Sequence, residues 1–167
     1  PWYKQPKPYE YSKNGPLTFY ETPLIYTNTI AIDKATDFSA VRLSYTNYNA
    51  KGLLPNSSLN KNIVMLNGQW NINKKITVTG TANYIRQNGK GRNAIVYNCN
   101  ITTNFLQWHQ TSLDFIEQKT VYELTKKNLT WNYDTELNYP KYSNNPYWDA
   151  YENYETDMRN RFIGNVS

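Results

Sequence analysis

One cysteine, one histidine and no long apolar run set the first limits on this chain. A single Cys99 excludes an internal disulfide and a cysteine-built zinc site. His109 is the sole imidazole, so a metal site or a Ser/His catalytic arrangement would have to be assembled around it. No ligand spacing surrounds it, and it reads as a loop histidine. No stretch approaches the ~18 apolar residues of a transmembrane helix. Lys and Arg (18) outnumber Asp and Glu (13), for a net charge of +5 and a pI near 9.1. Basic doublets occur only at Lys74-Lys75 and Lys126-Lys127, which is not the clustered stripe of a nucleic-acid binder. Asn-X-Ser/Thr triplets begin at Asn56, Asn100, Asn128 and Asn165, as chance provides in so Asn-rich a chain.

What is present is aromatic and polar together: 16% aromatic residues, with 16 Tyr and 5 Trp, at a mean hydropathy of −0.80. Abundant Tyr, Thr and Asn suit strands joined by polar loops. A membrane-crossing strand needs only ~9–11 residues with every second one apolar, so a polar average is compatible with a barrel.

Residues 1–24 carry no period and read as an extended approach segment. Four alternating stretches follow, at 25–33, 39–48, 61–72 and 76–87. In the second, Val41, Leu43 and Tyr45 share one face, and Arg42, Ser44 and Thr46 the other. In the third, Val64, Leu66, Gly68, Trp70 and Ile72 oppose Asn67, Gln69 and Asn71. The fourth sets Ile76, Val78, Gly80, Ala82 and Tyr84 against Thr77, Thr79, Thr81 and Asn83. Pro is absent from all four, as paired strands require. Residues 88–158 break the pattern and predict a long loop. Within it Thr102 or Thr103 is placed to cap a helix carrying Phe105, Leu106 and Trp108, with another turn at Leu113–Glu117. Alternation returns over 159–167, with Phe162, Gly164 and Val166 on one face. The chain opens at Pro1 without Met or a signal-type segment and closes within an alternating stretch, so the expectation is a portion of a larger barrel.

Short links follow the first and third strands and long links the second and fourth. Outer-membrane barrels show this asymmetry, with tight periplasmic turns and large outer loops. Tyr26, Tyr45, Trp70 and Tyr84 fall near strand ends on the apolar faces, where aromatic girdles sit. A soluble sandwich with an aromatic core satisfies the same pattern.

The order of phrases resembles one family. Arg42-Leu-Ser-Tyr-Thr-Asn47, Lys51-Gly-Leu-Leu-Pro-Asn56 and Leu59-Asn-Lys61 are similar to a run in SusC/RagA-type TonB-linked outer-membrane proteins. So are Val78-Thr-Gly-Thr-Ala-Asn-Tyr84 with Gly89-Lys-Gly-Arg92, and Asn145-Pro-Tyr-Trp148, Tyr151-Glu-Asn-Tyr154 and Arg159-Asn-Arg-Phe-Ile-Gly-Asn-Val-Ser167. Thr18-Phe-Tyr-Glu-Thr22 fits the approach to the early strands. The resemblance is weakest between Cys99 and Tyr142. It implies an all-β fold, part of a large antiparallel transmembrane β-barrel whose long extracellular loop carries short helical segments. It also implies a plug and further barrel outside this chain, and an outer-membrane location in a Gram-negative, Bacteroidota-type bacterium. The implied activity is import of oligomeric nutrients, glycan or peptide. The implied partners are a SusD-like lipoprotein, TonB with its inner-membrane motor, and outer-membrane lipid. No nucleic acid, cofactor, metal or catalytic residue is implied.

In that frame Val41, Leu43, Val64, Leu66, Trp70, Val78, Phe162 and Val166 are expected to face lipid. Arg42, Asn67, Gln69, Thr79 and Asn83 are expected to face the lumen, with the plug as nearest partner. Trp108, Tyr147 and Trp148 are candidate contacts to cargo or lid, because aromatic faces stack on sugar rings; folding the loop is their commoner use. Gly89-Lys-Gly-Arg92 lacks the Walker spacing and places Lys90 and Arg92 in the outer headgroup zone. Asp114, Glu117, Glu123, Asp134, Glu136 and Asp149 lie on the loop, and no spacing pairs two of them as a glycosidase would. Two alternatives remain. One is a SusC-like barrel serving as a structural subunit among other outer-membrane complex subunits, which purification with non-transport partners would reveal. The other is a soluble secreted β-rich glycan-binding module, which needs no detergent.

Overall fold

The computed structural model describes residue 6, residues 8–97 and residues 100–167. The Cys99 reading, and the approach segment at residues 1–5 and 7, lie outside the described residues. The chain divides into two compact units.

The first is an antiparallel sheet of five strands in sequence order: β1 (Leu24–Ala35), β2 (Ser39–Lys51), β3 (Ser58–Asn73), β4 (Ile76–Lys90) and β5 (Thr156–Val166). β1 and β5 are its edges, and the described residues do not close it into a barrel. Unbroken Cα registers run through every pair, apart from one irregularity between Asn71 and Asn73. β3 and β4 are joined by a tight turn in which Asn73 Oδ1 accepts from the amides of Lys75 (2.8 Å) and Ile76 (2.9 Å). That is the turn chemistry Asn supplies. At the β1–β2 turn the Thr36 hydroxyl accepts from the amide of Ser39 at 3.0 Å.

The strands extend beyond the stretches the alternation marks. β2 runs three residues past Tyr48, β3 starts three before Lys61, and β4 runs three past Gln87. The link between β2 and β3 shrinks to Gly52–Ser57, so the large difference in link length rests on the β4–β5 connection. On the side that is apolar in mid-strand the extra residues are Asn49, Lys51, Ser58, Asn60, Asn88 and Lys90, invisible to hydropathy but paired through their backbones. β5 likewise begins at Thr156, before the expected 159.

The second unit holds a 3-10 helix (Pro16–Phe19), α1 (Ile101–Trp108), α2 (Phe115–Thr125), α3 (Pro146–Glu152) and a two-residue bridge of Tyr133–Asp134 with Tyr139–Pro140. The fold is therefore mostly β, with its helices gathered in the long loop and the approach segment. That segment is not simply extended, because its 3-10 helix buries Phe19. Phe19, Phe105, Phe115, Tyr122, Tyr147 and Ala150 form the core. The Phe19 ring meets Phe105 at 4.8 Å and Tyr147 at 5.1 Å, both edge-on, the arrangement ring quadrupoles favour.

Caps set the helix starts. Asn100, not Thr102 or Thr103, caps α1, accepting from the Thr103 amide at 3.0 Å and the Thr102 hydroxyl at 2.6 Å. Asp114 caps α2 through the amides of Ile116 and Glu117, and its other oxygen accepts from Asn14 Nδ2 (2.8 Å) and the Ser12 hydroxyl (3.2 Å). One carboxylate thus starts a helix and ties down the approach segment. α2 ends at Lys126, whose φ of 53° is left-handed. α3 starts with Asn145 as cap and Pro146 in its first turn, where a missing N–H costs nothing.

Candidate functional site

The register decides which side chains share a face. The row Ile30, Tyr45, Val64, Tyr84, Phe162 crosses all five strands on one side. Residues two apart along each strand extend that face. Toward the short turns it holds Ile32, Val41, Leu43, Leu66, Trp70, Ile72, Ile76, Val78 and Val166. All eight residues expected to face lipid lie on this one face, and all five expected to face the lumen lie on the other. The apolar face is uncovered: apart from the half-buried Val78, its large side chains are 40% (Val64) to 77% (Val166) exposed. Among the described residues the buried hydrophobic core contains none of them. Monomeric proteins in water rarely leave so continuous an apolar surface open.

Toward the longer connections the same face turns polar on β2, β3 and β4, while Leu24 and Tyr26 on β1 and Met158 on β5 stay apolar and exposed; two tyrosines mark the boundary. The Tyr45 hydroxyl donates to Asn62 Oδ1 at 2.6 Å and that of Tyr84 to Asn160 Oδ1 at 3.1 Å. Each ring lies among apolar residues while its hydroxyl reaches polar partners, the division expected of an interfacial aromatic. Past them Asn47 pairs across strands with Asn62, and Asn49 with Asn60. Their carboxamides form a closed ring. Asn47 donates to Asn62 (2.9 Å), Asn62 to Asn60 (2.9 Å), Asn60 to Asn49, and Asn49 to Asn47. Alternation along single strands cannot reveal this ring, because it requires the β2–β3 register.

The opposite face is polar over most of its extent. Thr29 and Thr46 share a hydrogen bond at 2.9 Å, Thr77 donates to Asn71 at 2.9 Å, and Thr79 meets Ser167 at 2.6 Å. Arg42 pairs with Asp33 at 3.3 Å, with both side chains more than half exposed. Asn67 and Gln69 lie beside them, and the buried Asn83 Oδ1 has no hydrogen-bond partner.

The three loop aromatics separate. Tyr147 is 3% exposed and forms part of the core, so its ring is not available to cargo. The placement follows from α3, whose first turn turns it onto Phe19. Trp148 is half-buried against the same core. Trp108 remains open at 61% exposure, its indole N–H donating to the Tyr97 hydroxyl at 3.2 Å. His109 stacks edge-on against Phe115 at 6.1 Å.

The loop carboxylates do separate work. Burial would raise the pKa of Asp114, but the donors from Asn14, Glu117, Ile116 and Ser12 outweigh it and hold the carboxyl below its ordinary value. Burial pushes Asp149 up, although Asn144 and Asn153 donate to it at 2.8 and 3.1 Å. Asp134 accepts from the amides of Glu136 and Leu137, and Glu123 lies 3.9 Å from Lys119. Among the described residues no cluster of metal-ligating side chains occurs, and no helix is long and apolar enough to cross a membrane. No protein-family model, curated protein or solved structure matches the chain.

Proposed function

We propose that this chain is a portion of a SusC-type, TonB-dependent outer-membrane transporter that imports oligomeric nutrients, glycan or peptide. The observation that carries the reading is the uncovered apolar face, bounded by tyrosines whose hydroxyls reach the polar rows beyond. In lipid that face needs no protein cover. Its edges, β1 and β5, then continue into further strands, because an unpaired edge cannot persist in hydrocarbon.

From Val64 to Ile72 the band on β3 runs roughly 27 Å along the strand, or about 20 Å across a bilayer at the usual barrel tilt. That is near the height of an outer-membrane apolar band. The polar face, with Arg42, Asn67, Gln69, Thr79 and Asn83, then lines the lumen and offers hydrogen bonds to water, plug or cargo. Transport proceeds by binding, TonB-driven movement of the plug and passage, with a SusD-like lipoprotein as lid and no covalent step.

Cysteine accessibility tests the reading in the native full-length protein with Cys99 replaced by Ser. Asn67→Cys and Thr79→Cys react with a water-soluble maleimide in intact membranes, whereas Leu66→Cys and Val78→Cys react only after the membrane is dissolved and the protein unfolded. Equal labelling of the two sets, or a native protein that stays in solution without detergent, overturns it.

A further inference from the structure

The polar face of the sheet carries one apolar island. On it Ile63 of β3 pairs with Ile85 of β4, Met65 follows Ile63 along β3, and Ile163 stands on β5. Ile163 is 46% exposed and the other three are half-buried. Three cations stand beside the island on the same face: Lys61 on β3, and Arg159 and Arg161 on β5. The other side chains of these rows are uncharged. Lys61 is engaged by Tyr48, with Nζ 5.3 Å from the ring centroid. Arg159 and Arg161 are exposed, and among the described residues neither has a hydrogen bond, ion pair or ring contact. The strands bring two carboxylates to this face. Asp33 pairs with Arg42 at 3.3 Å, and Asp157 already has an interaction of its own.

We infer that this patch holds the cargo itself: an extended acidic peptide with carboxylates on two alternate residues and an apolar side chain on the next alternate one. The inference rests on the transporter reading above, in which this face lines the lumen, and takes the peptide side of it. Side chains on one face of a strand recur every ~6.8 Å. Arg159, Arg161 and Ile163 follow that spacing along β5, and same-side residues of an extended peptide laid beside them repeat it. Each guanidinium offers a carboxylate two parallel N–H donors, and Ile163 with Ile85 offers the apolar side chain a surface.

A glycan fits this wall less well. Sugar rings stack on open aromatic faces. Tyr48 is the one aromatic residue the described strands place on this face, and Lys61 lies over its ring. The apolar face offers no rival site for an anion. Its open depression of about 660 Å³, over Gly68 and Gly80, which face each other across β3 and β4, is lined by no charged side chain.

The native full-length protein, purified in non-ionic detergent, is titrated calorimetrically with a synthetic peptide containing Glu-Ser-Glu-Ser-Leu. It binds about tenfold more tightly than the Gln-Ser-Gln-Ser-Leu peptide, at roughly threefold per exposed ion pair. Reordering to Glu-Glu-Ser-Ser-Leu turns one carboxylate away and gives up about threefold. Arg159→Gln with Arg161→Gln abolishes the preference for the acidic peptide and leaves the midpoint of urea unfolding unchanged. Lys74→Gln with Lys75→Gln, in the β3–β4 turn, keeps the preference. Equal binding of the acidic and amide peptides, a preference that survives in the arginine variant, or tighter binding of an oligogalacturonate than of the acidic peptide overturns the inference. So does a loss of stability in the arginine variant, because the two side chains then serve a neighbouring strand or the plug. A protein that requires detergent but has no acidic preference defeats this inference alone. A protein that stays in solution without detergent defeats the transporter reading and this inference with it.

Discussion

Reversing the character of one side chain on each face of β4 separates a lipid-bound sheet from a water-bound one. Val78 and Thr79 are neighbours in the chain but point to opposite faces. On β4 the apolar band runs from Ile76 to Tyr84, centred on Gly80. Val78 therefore lies two residues, or about 5 Å along the membrane normal at usual tilt, from the middle. An arginine facing lipid costs about 2–4 kcal/mol at the midplane and about 0–1 near the interface, so Val78→Arg should cost about 2 kcal/mol. Thr79→Arg loses the contact with the Ser167 hydroxyl and should cost about 0.5–1 kcal/mol, as for one exposed neutral hydrogen bond. In water, both changes would be surface substitutions of about 0.5 kcal/mol. The assay is equilibrium unfolding by guanidinium of the full-length protein folded into phospholipid bilayers, compared at constant m-value. Equal costs for the two variants would refute the facing argument, whatever the absolute stability.

Three further outcomes concern the helical unit. Asn145 is wholly buried; its Nδ2 donates to the carbonyls of Gln118 and Leu129, and its Oδ1 accepts from the Tyr147 amide. Asn145→Ala strands these groups and removes a cap, and should cost about 3–5 kcal/mol in chemical denaturation. The lowered pKa of Asp114 stabilises the folded state above the ordinary carboxylate value of 3.8, and that contribution disappears as pH falls through the lower folded value. Asp114→Asn should therefore flatten the acid limb of a Tm-versus-pH profile. Asp149 has the opposite sign: its raised pKa makes the folded state weaker as pH rises past the ordinary value. Asp149→Asn keeps an oxygen for Asn144 and Asn153 while removing the buried charge, so Tm at neutral pH should be equal or higher; a fall would show that the charge itself is needed.

Much of the sheet was legible because period-two alternation is strong where one face is apolar. Val64 to Ile72 and Ile76 to Tyr84 carry that signal unbroken. It fades where that face turns polar: at Asn47–Lys51, Ser58–Asn62 and Arg86–Lys90 it carries only Asn, Lys, Ser and Arg, yet the backbones pair as well as in the middle. Strand ends are therefore hidden there, and the asparagine ring with them. The loop helices failed differently. Asn100 and Thr102 both have the chemistry of a cap, and local sequence does not show that the helix begins early enough for Asn100 to reach the Thr103 amide. Tyr147 has the chemistry of a sugar-stacking residue, and only the packing of Phe19 from a distant segment shows that its ring is enclosed.

The facing glycines have a mechanical meaning. At Gly68 and Gly80, paired across β3 and β4, both strands are bare on the apolar face, and a Cβ added at Gly68 would meet nothing within 4 Å. At no other pair of β3 and β4 do two glycines face each other, so elsewhere at least one side chain reinforces the sheet against folding over. At this pair only the backbone ladder resists, so bending stiffness is lowest there. Curvature imposed on the sheet concentrates at this crease, which makes it the natural corner of a wall that must turn. Valine at both positions would spread the bend along the strands and make the wall stiffer.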